Sequence, residues 1–265
     1  MAWYIYIAVI AAGFAAGFIN TLAGSGSLVT LPLLIAIFGA QGIPTPAKLA
    51  NGTNRVGILL QNVVGTASFN KKNALDKRGG IYLGIPAVLG SIVGAQIAVS
   101  LNEVMMRRII GAVMVLMLTI ILLRPKRWLH GKLENITEFP NWKILILMFL
   151  TGVYGGLIQA GVGIFLLSVL VLGIGYNLVR ANAVKVSIVL FFTLFALIIF
   201  VRNGDVNWVL GLVLSIGNML GAWVGTKFAV EKGAIWVRRF LILVVTVSAL
   251  NLLGIFDLIT QRLNL

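Results

Sequence analysis

Two cations stand inside apolar runs of this chain: Arg55, nine residues into the run 46–67, and Lys185, a few residues into the run 182–201. All seven acids (Asp76, Glu103, Glu134, Glu138, Asp205, Glu231, Asp257) lie outside such runs, the single histidine, His130, sits in a polar loop, and cysteine is absent. A charge within hydrocarbon costs several kcal/mol unless it is paired or wet, so Arg55 is a functional-site candidate by default. With no carboxylate in any span, its partner is either a bound anion or the backbone carbonyls at nearby glycine breaks. Lys185 either serves the same purpose or snorkels toward the nearer membrane face. The same inventory argues against an enzyme. A buried proton relay, hydrolase or metal site needs titratable groups or ligands that the spans do not supply, and without cysteine there is no disulfide, thiolate metal site or thiol nucleophile.

Polar residues gather around Arg55. Asn51-Gly52-Thr53-Asn54-Arg55 is the most polar stretch of any span, and Gln61-Asn62 follow two turns later. Asn51, Asn54, Arg55 and Asn62 recur at helical spacing and share a face. That face either lines a cavity or makes interhelical hydrogen bonds, worth about 1 kcal/mol each. Two glycine breaks supply further donors: Ala23-Gly24-Ser25-Gly26-Ser27, with Asn20 and Thr21 just before it, and Ala160-Gly161-Val162-Gly163, preceded by Gln159. A helix restarting after such a break offers free N–H groups and a positive dipole end, a ready anion site. Ser25 or Ser27 is expected to cap the first restarted helix. Thr45-Pro46 suits another helix start. The candidate substrate-binding set is Asn20, Gly24, Ser25, Gly26, Ser27, Asn51, Thr53, Asn54, Arg55, Gln61, Gln159, Gly161, Gly163 and Lys185.

The elements that must hold these residues are membrane helices. Of 265 residues, 60% are hydrophobic and only 11% charged, against roughly 25% charged in an ordinary soluble domain. Apolar runs occur at 3–22, 28–38, 46–67, 80–100, 104–123, 143–160, 164–174, 182–201, 207–226 and 236–256. Most approach the ~20 residues a helix needs to cross a bilayer. The runs 28–38 and 164–174 are too short, and each directly follows a glycine break. No Lys or Arg precedes Lys48, so the first run is expected to belong to the fold rather than to a signal peptide. Trp3, Tyr4, Tyr82, Trp128, Trp142, Tyr176, Trp208 and Trp236, near span ends, are expected to anchor at the interface. Glycines four apart, as in Gly13/Gly17 and Gly217/Gly221, are expected to pack helices closely.

The chain reads as an internal duplication. Ala47 to Thr53 resembles Ala181 to Ser187, Gly90, Gly94 and Ala95 match Gly217, Gly221 and Ala222 in spacing, and Arg107-Arg108 and Arg238-Arg239 each open the last span of a half. If the hairpin 3–38 enters and leaves on one side and every later run crosses, the loops 68–79, 124–143, 175–181 and 227–239 share a side. They hold 14 of the 21 Lys and Arg, against five on the other side. The positive-inside rule puts the first group in the cytoplasm, and accounts for much of the net charge of +14 without nucleic acid. Equivalent loops then face opposite sides, the mark of inverted repeats. The expected architecture is an all-α polytopic membrane protein of two inverted-topology repeats, 1–125 and 140–265, joined by a cytoplasmic linker 126–139. Each repeat would have a broken, re-entrant helical hairpin and three spanning helices.

Gly17-Phe18-Ile19-Asn20-Thr21-Leu22-Ala23-Gly24-Ser25-Gly26-Ser27-Leu28-Val29-Thr30-Leu31-Pro32, followed by Ala50-Asn51-Gly52-Thr53-Asn54-Arg55-Val56, resembles the sulfite exporter TauE/SafE family. The resemblance extends over essentially the whole chain. It implies a multi-pass permease of the cell (inner) membrane that exports sulfite, sulfoacetate or a related organosulfur anion. The expected partners are that small anion and the lipid bilayer, with room for a homodimer and none for nucleic acid; no cofactor is expected. Export would run on the membrane potential or an ion gradient, and each negative charge leaving a negative cytoplasm gains about 2.3 kcal/mol per 100 mV. The alternatives are an anion channel, with the glycine breaks as filter, and a carrier for a non-sulfur anion.

Overall fold

The computed structural model describes residues 3–123 and 141–252, apart from the side chains of 117–123 and 232–252. The helices are α1 (Trp3–Ala23), α2 (Ser27–Ala40), α3 (Pro46–Lys71), α4 (Lys77–Ser100), α5 (Glu103–Leu123), α6 (Trp142–Leu157), α7 (Val162–Ser168), α8 (Leu178–Arg202) and α9 (Trp208–Leu252). A π-helical turn, Val169–Ile174, prolongs α7. There is no strand among the described residues. Trp3–Ala23, Lys77–Ser100, Leu178–Arg202 and Trp208–Glu231 are each long and apolar enough to cross a membrane, so the chain is a multi-pass helical membrane protein. The two short runs are short helices. Ser27–Ala40 has 14 residues, and at 1.5 Å per residue it reaches about 21 Å of a hydrocarbon layer about 30 Å thick.

The end of the chain departs from expectation. The runs 207–226 and 236–256, with a loop at 227–239, were expected as two spans, but the backbone is one helix over Trp208–Leu252. The segment between the runs contains no proline and is rich in Lys, Ala and Glu, which favour helix. At 45 residues α9 outruns the bilayer. The linker 126–139 lies outside the described residues, as do the side chains of Trp128, Trp236, Arg238 and Arg239.

Lipid tails are as apolar as leucine, so these helices hold together by close backbone approach. α1 packs along α9 and α4 along α6. A Cβ on Gly13 would stand 2.6 Å from the Leu214 carbonyl oxygen, and one on Gly217 2.0 Å from that of Ile10. On the other pair, a Cβ on Gly94 would stand 1.9 Å from the Val153 carbonyl oxygen and one on Gly156 2.1 Å from that of Ser91. Residue numbers rise together along both pairs, so α1 runs parallel to α9 and α4 parallel to α6. The hairpin α1–α2 ends with Phe38 in the cluster that holds Ala47, at the start of α3. The hairpin α6–α7 ends at Tyr176, whose hydroxyl donates to Asp76 just beyond the end of α3.

Trp3, Tyr4, Tyr82, Trp142 and Trp208 are exposed, as interface anchors should be, but Tyr176 is buried. Its hydroxyl donates to Asp76 Oδ2 (2.7 Å), and Arg180 donates to the same oxygen (3.0 Å). Asp76 also caps α4 by accepting from the Gly79 N–H. Burial pulls the Asp76 carboxyl up, but Gly79, Tyr176 and Arg180 together outweigh it and hold it below the usual carboxylate value. A depressed folded value stabilises the protein above the unfolded value, about 4. That stabilisation is lost as pH falls through the folded value. Thermal unfolding in detergent from pH 6 to 3 should therefore show wild type losing more stability than Asp76→Asn, and parallel curves would refute this role.

Candidate functional site

The polar stretch of α3 contains weak helix formers in Asn51, Gly52, Thr53 and Asn54, but no proline interrupts it and Pro46 sits in the first turn. Thr45 occupies the cap position without a side-chain cap bond. Glu103, from the start of α5, takes that role: its two carboxylate oxygens accept from Ala47 N (2.9 Å) and Lys48 N (3.2 Å). Arg107 Nε holds the same carboxylate at 2.8 Å. No local pattern could have revealed this cap, since its two ends are more than fifty residues apart.

The two glycine breaks touch. Gly24 and Gly161 both adopt positive φ, +78° and +73°, which glycine does without strain. Gly163 N donates to the Gly24 carbonyl at 3.2 Å, and a Cβ on Gly24 would stand 2.4 Å from Gly163 Cα. Ser25 and Ser27 are buried beside this contact, but neither caps α2 with its side chain. Instead Leu28 N and Val29 N donate to the carbonyls of Ser25 and Gly26, both at 3.0 Å. The tight turn satisfies those donors through the backbone, so the expected serine cap is corrected.

Each cation closes a broken helix from the other half of the chain. Arg55 is 0% exposed. Its Nη1 donates to the Gly155 carbonyl (3.1 Å) and its Nη2 to that of Gly156 (2.6 Å), in the last turn of α6. Its guanidinium stacks on the Phe200 ring at 4.4 Å. Lys185 is 1% exposed, and its Nζ donates to the carbonyls of Asn20 (2.8 Å) and Thr21 (3.0 Å), near the end of α1, and to Asn182 Oδ1 (2.7 Å). The last carbonyls of a helix lack intrahelical partners and carry the negative end of its dipole, so a buried cation is well placed there. The carbonyl alternative for Arg55 is thus present in this structure. Asn51 Nδ2 donates to the Leu157 carbonyl at 2.9 Å. Leu157 precedes Gly161 by four residues, as Asn20 precedes Gly24, so Asn51 and Lys185 reach matching carbonyls. In that register the counterpart of Arg55 is the apolar Val189.

Most of the other candidates find partners of their own. Asn54 Oδ1 accepts from Thr30 Oγ1 (2.7 Å), and Gln159 Nε2 donates to Thr193 Oγ1 (2.5 Å). Thr53 faces elsewhere and accepts from Asn207 N (2.9 Å) in the turn before α9. Asn62 turns back to the Ile58 carbonyl on its own helix. Asn20 contributes its carbonyl, and Gly26 is fixed by a carbonyl of α1, with the Ala16 oxygen 2.1 Å from where a Cβ would be. Several buried polar atoms keep no partner: Arg55 Nε, Asn54 Nδ2 and Gln61 Nε2 among donors, and Asn51 Oδ1 and Gln159 Oε1 among acceptors. Sequence reasoning missed Asn182, Thr30, Thr193, Phe200 and Tyr154, whose hydroxyl donates to the Ala160 carbonyl at the second break. Only Asn182 carried a local signal, three residues before Lys185 on one helix face.

The sequence matches the family described as Sulfite exporter TauE/SafE over residues 9–252. It is similar to the probable membrane transporter protein ORF9 of Sinorhizobium sp, 26% identical over 254 residues that cover 96% of this chain and 94% of that protein. A probable membrane transporter protein of Haemophilus influenzae is 27% identical over 231 residues, 87% of this chain and 88% of the relative. The probable membrane transporter protein YfcA of Escherichia coli K12 is 27% identical over 241 residues, 90% of this chain and 86% of the relative. No solved structure matches the chain.

Proposed function

The chain belongs to the Sulfite exporter TauE/SafE family, and from that premise we propose that it is a transporter of the inner cell membrane that exports small sulfur oxyanions or organosulfonates. The carrying observation is that Arg55 and Lys185, both buried, are matched by helix ends and amides rather than by carboxylates. A helix end supplies only about half a negative charge, so each cation keeps positive potential for a cargo anion. Arg55 Nε, Asn54 Nδ2 and Gln61 Nε2 are further buried donors on α3 without a partner. In this reading cargo oxygens take over donors now held by helix carbonyls.

The halves 1–125 and 140–265, joined by the cytoplasmic linker 126–139, act as inverted repeats in this reading. The matched packing of α1 on α9 and α4 on α6 supports it, as do the two hairpins ending near opposite ends of α3. Transport would rock the hairpins α1–α2 and α6–α7 against each other about the Gly24–Gly163 contact. No coupling ion is needed, because an inside-negative potential drives anion export. Purified protein in liposomes, loaded with sulfite or sulfoacetate and given an inside-negative potential, should show saturable efflux that the potential accelerates. External anion should stimulate exchange. Potential-independent leak, or unitary currents without counterflow, would overturn the carrier reading.

A further inference from the structure

We propose that Asn218 on α9, admitted by the missing side chain of Gly57, is a further substrate-binding residue of this anion site. A Cβ on Gly57 would stand 2.5 Å from Asn218 Nδ2, so the amide lies directly on the bare face of α3 at that position. Asn54 is three residues before Gly57 and Gln61 four residues after it, so the three positions follow one another along one side of α3. All three amide side chains are buried, and each keeps an unpaired polar atom: Asn54 Nδ2, Asn218 Oδ1 and Gln61 Nε2. Buried polar atoms in native proteins nearly always find partners. Three unpaired amides in a row describe a wall prepared for a polar ligand rather than a packed seam.

The other half of the chain supplies the contrast. By the glycine spacing that matches Gly90 to Gly217, the counterpart of Asn218 is Ser91. Ser91 Oγ lies within hydrogen-bonding distance of the Val88 and Phe192 carbonyls (2.8 and 3.1 Å), so its single hydroxyl proton has an acceptor in place. In the register of Ala47 with Ala181, the counterparts of Asn54, Gly57 and Gln61 are Ile188, Phe191 and Phe195. The corresponding positions on α8 are therefore apolar, with Phe191 and Phe195 exposed, whereas Asn54 and Gln61 on α3 are buried, polar and unsatisfied. Packing between the halves does not need the amide of Asn218. Gly13 and Gly17 approach the α9 backbone at this level, and a shorter side chain at 218 leaves that approach intact. Glycine at 57 has a clear purpose in this reading, since any Cβ would push the amide away.

This inference rests on the anion-transport reading, and binding measured on the full chain in detergent separates the two. Sulfite and sulfoacetate are titrated by calorimetry into wild type, Asn218→Ala, Asn218→Ser, Gly57→Ala and Arg55→Ala, with thermal unfolding measured in parallel. Losing a hydrogen bond to a charged ligand predicts about tenfold weaker binding or more in Asn218→Ala and Gly57→Ala. Asn218→Ser, which keeps a hydroxyl, should fall between these and wild type, with unfolding temperatures of the Asn218 and Gly57 variants close to wild type. If Arg55→Ala loses binding while Asn218→Ala and Gly57→Ala bind as wild type does, Asn218 is not part of the site. If wild type binds neither anion, the transport reading itself fails.

Discussion

Arg55→Ala is expected to reduce anion binding and efflux at least about a hundredfold, which corresponds to about 2.7 kcal/mol. Two losses combine. The cargo loses the fully buried guanidinium of Arg55, and a charge-assisted hydrogen bond is roughly twice as strong as a neutral one. The Gly155 and Gly156 carbonyls also lose their donors, and each buried carbonyl left unpaired costs about 1–3 kcal/mol. The variant should therefore also unfold at lower temperature. Arg55→Lys separates the two effects. It keeps the charge, but a point-charge ammonium cannot reproduce the fork that reaches two successive carbonyls while leaving Nε free. It should keep part of the flux and regain part of the stability. Reconstituted flux and thermal unfolding of both variants check this, and an alanine variant with wild-type flux would remove Arg55 from the mechanism.

Gly24→Val should have the second large effect, on assembly of the protein. Gly24 holds φ +78°, where a β-branched residue is strongly strained. Its Cβ would also stand 2.4 Å from Gly163 Cα. That neighbour is backbone, so relief requires the two hairpins to part. Loss of monodisperse protein in detergent is the expected outcome. Gly39→Ala is the control. It lies in α2 with nothing within 4 Å of its Cβ position, and a helical alanine there is worth about 0.5–1 kcal/mol. It should be neutral or slightly stabilising. A well-folded Gly24→Val would show that the contact between the breaks is not what joins the hairpins.

Much of this architecture was legible in the sequence because hydrocarbon imposes strict rules. Apolar run length set the helices, and the two short runs became short helices behind glycine breaks at Gly24 and Gly161. Arg55 and Lys185 stood out because cations in oil are rare. Their partners were not legible. Arg55 reaches carbonyls a hundred residues away, and Lys185 reaches back to Asn20 and Thr21. Backbone carbonyls carry no residue signature, so no sequence pattern announces them. For the same reason Glu103 looked like a loop acid and proved to be the cap of α3. Tyr176 looked like an interface anchor because its position near a span end does not reveal that Asp76 is folded against it. The serines at the first break looked like caps, but the turn used its own backbone. The continuous α9 escaped because a polar stretch between two apolar runs reads as a loop even when every residue in it tolerates helix.

The most direct test is charge movement itself. Proteoliposomes adsorbed on a solid-supported membrane and given a sulfite or sulfoacetate concentration jump should produce a saturable transient current carried by negative charge. That current should be absent with Arg55→Ala and reduced with Arg55→Lys. A current of unchanged size and saturation in Arg55→Ala would contradict the account, as would silence from the wild-type protein with both anions.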